Sequence, residues 1–366
     1  MEPIVGEYAK TLARSRSDRV VKSIQSDIGT KKQFKFGRTV YTPVDVTAFI
    51  LRALADGTET QLGFRPKDVV ITVPASFNHD QREATLEAAE LVGFKITDNI
   101  LLDVPHAALY AFINRPNAEV LIDFSTPKLV LAFDLGRSTL NVSVHKISYG
   151  QNRQLDIDDL SLAYYGQIGG DNFDKLLADH FLKAYQPNLL NNLDETQMTL
   201  LERTFQELAE EAKKDLSIQY ENRTKVLGEE PDADSVKTEV LQTPFEDQVF
   251  QYELTLSEYE GIIEPLLANY LNLNWVNEID TLPFNDDNII YPILDVLDKA
   301  KVKLGDLPPI DAVLLNGGMT KLRVIRKRLE TFFGPDIRIL EAGDPDKVVA
   351  LGATYYHYGG SPRLSQ

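Results

Sequence analysis

The chain has no cysteine at any of its 366 positions. That absence excludes disulfides, thiolate catalysis and cysteine-ligated zinc together. Histidine is sparse too: His79, His106, His145, His180 and His357 are scattered, with no ligand spacing of the H-x-x-x-H kind. Cationic residues are in deficit, 38 Lys and Arg against 55 Asp and Glu, for a formal net charge of −17. Such a surface cannot neutralise a phosphate backbone broadly, which excludes nucleic acid as the main partner. A small nucleotide held by local dipoles and a few cations remains possible. No apolar run approaches the ~18 residues of a membrane span. The opening MEPIVGEYAKTLARSRSDR lacks the apolar core of a signal peptide. A cytoplasmic protein with no membrane partner is expected. Neither the P-loop G-x-x-x-x-G-K-[ST] nor the dinucleotide G-x-G-x-x-G occurs.

What is present is an ordinary globular balance, 43% hydrophobic and 25% charged, in a chain long enough for two domains or two lobes. After the short strand candidates FKFG and VYTP, Thr42-Pro43 signals a helix over Val44–Ala55. VVITVP reads as a buried strand, Asn78 caps a helix that stops at Gly93, and NILLDV leads into the helix PHAALYAFIN. This strand–helix–strand–helix order predicts a parallel α/β layer. A hairpin at 128–147 restarts the pattern, followed by the strand DDLSLAYYG and the helix GGDNFDKLLADHFLKAY. A long amphipathic helix is predicted over Met198–Ser217, an antiparallel pair over KTEVLQT and QVFQYELTL, and helices over Ser257–Leu271 and Ile289–Leu304. The strand DAVLLNGG, the helix KLRVIRKRLETFF, the strand IRIL and the helix DPDKVVALGATYY follow. GEEPDADS reads as a solvated loop; Trp275 and the pair Phe332-Phe333 read as packing residues.

Three glycine turns carry the chemistry. In LAFDLGRSTLNVSVHKI an apolar strand ends at Asp134, and the turn after it holds Gly136, with Thr139 beyond. Bare backbone lets successive N–H groups approach an anion. A strand-end carboxylate suits the water shell of the Mg²⁺ that accompanies a polyphosphate. Gly169-Gly170 stands before a helix, whose N-terminus favours phosphate oxygens. Asn316-Gly317-Gly318 stands at another strand-to-helix junction, where a base or ribose can pack on bare backbone. Taken singly, each is a common turn.

In order, these pieces resemble the nucleotide-binding domain of the heat-shock 70 kDa chaperone family, within the actin and sugar-kinase superfold. VVITVPASFNHDQREAT, FDLGRSTLNVS, IGGDNFD, ELAEEAKKDLS, VLLNGGMTK and DPDKVVALGA carry the likeness, from about residue 4 to 357. The resemblance implies an α/β actin-like ATPase fold. Its two lobes each have a mixed or parallel sheet flanked by helices, with small α+β subdomains. Lobe I would comprise 1–126 and 341–366, with 1–60 as its small subdomain and the rest as core. Lobe II would comprise 127–340, with 127–160 and 280–340 as core and 161–279 as small subdomain. ATP or ADP with Mg²⁺ is implied in an interlobe cleft. Asp134 would serve the metal and, with Thr139, the catalysis. Gly136, Gly169, Gly170, Gly317, Gly318 and Asp346 would lie near phosphates and ribose. Glu210, Lys213 and Lys214 would bracket adenine, although Glu210 and Lys214 also have the spacing of an ordinary i,i+4 surface pair.

The departures from the family pattern matter as much. The family's first D-x-G hairpin has no counterpart before VVITVP: either Met1 begins a truncated chain, or half of the phosphate clamp is lacking. Gln25 stands where the phosphate-contacting lysine is expected, with Lys22 out of register. Val104 replaces a carboxylate, Asn141 an acidic residue, and His106 the usual threonine, a corner histidine rather than a base. The implied function is a chaperone-type nucleotide switch with weak or lost hydrolysis, acting in protein folding and the stress response. Unfolded proteins or co-chaperones would be engaged through regions outside this chain. A pseudo-ATPase scaffold that docks proteins is the alternative, and a sugar kinase of the same superfold a more distant one.

Overall fold

Thr42 sets the first long helix. Its hydroxyl accepts from the Asp45 N–H at 3.2 Å while the Asp45 carboxylate accepts from the Thr42 N–H at 2.8 Å, a reciprocal cap. In the computed structural model, which describes residues 3–12, 19–21, 23–150, 155–165, 168–185, 193–245, 248–282, 287–306 and 309–359, this helix (α1) runs Pro43–Leu62. It is longer than the sequence predicts, because Gly57 weakens a helix without ending it; the stop comes at Gly63, where φ is 76°. Before it lies the hairpin β1 (Phe34–Phe36) and β2 (Thr39–Tyr41). Among the described residues no strand precedes Phe34.

Two compact units divide the described residues, one formed by those up to Ala111 with 349–359, the other by Phe112–Val348. In the first unit, β3 (Ile71–Val73) pairs in parallel with β4 (Leu101–Asp103) across α2 (His79–Val92), as the strand–helix alternation predicts. Side chains alternate across these strands. Ala55, Ala89, Phe94 and Ile100 form a cluster with Ile71 and Leu101; Leu102, Ala107 and Ala353 form another with Val70. The second cluster draws on α3 (Val104–Ile113) and α10 (Val348–His357). A Cβ on Gly352 would stand 1.7 Å from the Ala107 carbonyl oxygen, so only glycine permits this helix crossing.

The second unit is built on a five-stranded sheet in the order β11-β10-β5-β6-β7. Its strands are β5 (Lys128–Leu135), β6 (Leu140–Tyr149), β7 (Leu155–Tyr165), β10 (Ala312–Asn316) and β11 (Arg338–Glu341). β10 is parallel to β5 and β11; β5, β6 and β7 form an antiparallel meander. All five residues of β10 are buried, as are Val130–Phe133 of β5, which explains their unbroken apolar runs. Around the sheet stand α4 (Gly170–Ala184), α5 (Glu195–Leu227), α8 (Tyr291–Leu304) and α9 (Arg323–Phe333), with the hairpin β8 (Lys237–Phe245) and β9 (Gln248–Thr255). One apolar core spans these elements, and Phe332, Phe333 and the partly buried Trp275 pack in it.

Two expectations change here. The predicted Met198–Ser217 helix runs instead from Glu195, capped by Asp194, to Leu227, stopped by Gly228. The predicted Ser257–Leu271 helix breaks into α6 (Leu256–Ile262) and α7 (Glu264–Leu267). Pro265 lacks an N–H and its ring excludes the carbonyl one turn earlier. The acidic loop is largely exposed, as read; Glu230 lies 2.5 Å from Lys327 Nζ, and Pro231 is buried. Among the described residues no helix is long and apolar enough to cross a membrane.

Candidate functional site

Asp134 occupies the end of β5, opposite Asn316 of β10 on one side and Asn141 of β6 on the other. Directly paired residues present their side chains on the same face, so the three form a row. Among the described residues, the side-chain oxygens of Asn141 and Asn316 are buried without a hydrogen-bond partner. Burial pushes the Asp134 carboxyl up to about 6. Three oxygen-bearing groups thus stand together in a poorly solvated place, two of them unsatisfied.

The turn that follows faces the same corner. The Gly136 N–H donates to the Thr139 carbonyl at 2.9 Å, which closes the turn. The N–H groups of Arg137, Ser138 and Thr139 have no acceptor among the described residues. Three consecutive unpaired amides at a glycine turn are the makings of an anion nest. The start of α4 is tied to this turn: the Gly170 N–H donates to the Gly136 carbonyl at 3.0 Å and the Asp171 N–H to that of Arg137 at 2.7 Å. A Cβ on Gly169 would fall 2.6 Å from Arg137 O and Thr139 N. At the third turn, a Cβ on Gly317 would fall 2.3 Å from the Leu135 carbonyl oxygen and 2.7 Å from Asp134 Oδ1. Gly317 also has φ 84°, a region that favours glycine. Gly318, by contrast, has nothing within 4 Å of such an atom. The three turns therefore meet around Asp134, and close backbone approach is what the glycines of two of them provide.

On α5, Lys214 pairs with Glu210 one turn earlier. Lys213 is buried and its Nζ lies 2.6 Å from Asp174 Oδ1 on α4. Asp346 is exposed and accepts from Lys321 Nζ at 2.9 Å. In the first unit, Gln25 lies exposed in the 3₁₀ turn Ile24–Ser26, and Val104 begins α3 half-buried. Lys22 lies outside the described residues.

A second polar chain in the sheet invites a catalytic reading that burial removes. Ser143 Oγ lies 2.7 Å from His145 Nε2, and His145 Nδ1 lies 2.6 Å from Asp159 Oδ1. Ser143 is 2% exposed, so no substrate reaches its hydroxyl. The chain ties β6 to β7 beside the bulge at Val144/His145.

Comparison with known proteins agrees with this architecture. The chain matches the family described as Hsp70 protein over residues 4–271. The chaperone protein DnaK of Thermosipho melanesiensis is 30% identical over 355 residues, covering 96% of this chain and 50% of that protein. DnaK of Thermotoga petrophila is 28% identical, with 96% and 51% covered, and that of Picrophilus torridus 29% identical, with 96% and 49% covered. The chain belongs to the Hsp70 family, and its mixed α/β architecture is consistent with that family's actin-like ATPase fold. It corresponds to a chaperone ATPase-type, nucleotide-binding domain and spans about half the length of these relatives.

Several groups at the corner escape the sequence reading. Asn316 stands inside the quoted Asn-Gly-Gly turn, yet nothing local reveals that its strand runs beside Asp134. Arg137, Ser138 and Asp171 meet only because α4 starts against the β5–β6 turn, 34 residues from Arg137. The acidic first turn of α4 was the available signal for Asp171.

Proposed function

We propose that this chain binds an adenine nucleotide, ATP or ADP with Mg²⁺, at the corner built around Asp134, and hydrolyses ATP slowly or not at all. The observation that carries this reading is the set of three amides at Arg137–Thr139 that are unpaired among the described residues, beside two amide oxygens orphaned in the same sense and the Asp134 carboxyl. The amides suit phosphate oxygens. The oxygens of Asp134, Asn141 and Asn316 suit a hard cation that keeps several waters, so the residues present fit Mg²⁺. It would supply charge neutralisation for the phosphates.

In this reading Gly136 and Gly317 let the backbone close around the phosphates, and Gly169 and Gly170 let α4 abut the turn. Gly318 leaves space for the ribose. Glu210 and Lys214 offer their aliphatic stems and charges to the base; Lys213 supports that surface from within. Thr139 orients the terminal phosphoryl group. Phosphoryl transfer is chiefly positioning and charge stabilisation. With Asn141, Gln25 and Val104 neutral where the family resemblance implies charge, each missing donor or carboxylate would cost ~10²–10³ in rate. These losses are not additive.

As part of an Hsp70-type chaperone, such a domain serves protein folding in the cytoplasm as a nucleotide-controlled switch. Unfolded clients and co-chaperones would act through regions outside this chain. Calorimetric titration with ATP·Mg²⁺ and ADP·Mg²⁺ tests the binding, and single-turnover hydrolysis tests the rate. Saturating nucleotide should raise unfolding stability by about 3–4 kcal/mol at 100–1,000 times Kd. No binding of either nucleotide would leave a scaffold that docks proteins. Turnover with a sugar acceptor would favour the kinase branch of the superfold.

A further inference from the structure

We infer that Arg137 reads the terminal phosphoryl group of a nucleoside triphosphate, supplying a cation from the β5–β6 turn. The inference rests on the nucleotide reading and adds to it a residue that separates triphosphate from diphosphate.

The geometry starts from Asp171. Arg137 Nε donates to its Oδ1 at 3.0 Å, and Ser138 Oγ donates to its Oδ2 at 2.8 Å. Two side-chain donors of the turn therefore converge on the two oxygens of one anion. A phosphoryl group presents oxygens of the same kind at similar spacing, with greater charge, and guanidinium matches either in a forked arrangement. Both donors belong to the turn whose three amides are unpaired, so side chains and backbone can engage one polyphosphate.

The other cations around this corner belong to other elements than the turn. Lys213 is buried against Asp174, Lys214 is paired with Glu210, and Lys321 with Asp346. Arg137 stands in the turn itself, in a pair about as open as those of Lys214 and Lys321: its side chain is 60% exposed and its carboxylate partner 37% exposed. Ion pairs this exposed contribute little to stability, so exchange of Asp171 for a phosphate costs little. Asp171 acts as an internal occupant of the site, released when a more highly charged anion arrives.

The experiment is calorimetric titration of the full chain and of its R137A, R137K and D171N variants with ATP, ADP and adenosine, each with Mg²⁺, with thermal melts to verify folding. A charge-assisted contact made only by the third phosphate predicts that R137A weakens ATP about 10- to 100-fold. ADP should change less than about threefold, adenosine should be unchanged, and R137K should fall between. D171N should tighten ATP severalfold, by removing the competing anion. Equal loss for all three ligands in R137A, or no loss for ATP, overturns the assignment while leaving nucleotide binding intact. Failure of the unaltered chain to bind any of the three overturns the underlying reading as well.

Discussion

Lys213 Nζ lies 2.6 Å from Asp174 Oδ1, with the two side chains 7% and 4% exposed. The pair joins α5 to α4. Burial pushes the Asp174 carboxyl up to about 6, and the lysine only partly offsets that desolvation. A pair of this kind costs much more to break than to replace.

K213M should therefore destabilise the chain by about 3–5 kcal/mol, since it leaves a carboxylate buried without its cation. The double variant K213M/D174L should recover most of that loss. Urea denaturation of the single and double variants measures both values. A single variant as stable as the parent would show that the ion pair carries no structural role.

Asp134 predicts a pH dependence whose sign can be worked out. Its carboxyl is raised from 3.8 to about 6 in the folded chain. Between those values the native state holds a proton that the unfolded state has lost, so stability falls as pH rises through this window. Above it the charged carboxylate is a standing cost. D134N removes the titration: at pH 7.5 it should exceed the parent in stability by on the order of 2 kcal/mol. The difference should vanish near pH 4. Denaturation midpoints at the two pH values decide the matter, and equal stability at pH 7.5 would refute the desolvation account.

The glycines separate into those that are crowded and those that are not. Gly169 has extended φ of −175°, which any residue adopts, so the obstacle to a side chain there is purely steric. G169A should cost about 1–3 kcal/mol through displacement of the Arg137–Thr139 backbone. It should also weaken nucleotide binding. G318A, with open space around it, should stay within about 0.5 kcal/mol of the parent. Thermal melts of the two variants provide the comparison; equal effects would contradict the close approach at Gly169.

Arg328 is 5% exposed and donates to the carbonyls of Leu267, Ala268 and Leu271 at 2.7, 2.8 and 2.7 Å. It satisfies the chain that follows the helix broken at Pro265. R328M keeps the volume of the stem but takes this donor from the carbonyls of Leu267 and Leu271, while that of Ala268 still accepts from the Leu271 N–H, and should cost about 2–3 kcal/mol. Differential scanning calorimetry reads this directly. The measured cost should exceed that of R326M, whose guanidinium is partly solvated.

The helix and strand order was legible because periodic apolar runs end at local signals. Asn78 with Gln81, Thr42 with Asp45, and Gly93 with φ 87° act within a few residues of one another. Where a signal is weaker than its context, the reading shifts. Gly57 did not end α1, and Pro265 divided a helix whose apolar spacing continues through it.

By itself, the sequence determined the alternation of strands and helices, the buried character of β5 and β10, and the three glycine turns. Each depends on residues adjacent along the chain or one helical turn apart. Only the tertiary structure decided that Asn141, Asp134 and Asn316 share one row, that Asp171 meets Arg137, and that Lys213 turns inward to Asp174. Apart from the hairpin pairing of Asp134 with Asn141, those relations join residues far apart in the chain, and the packing of strands and helices around a common core sets them. A carboxylate's neighbours, and hence its charge, are properties of that packing.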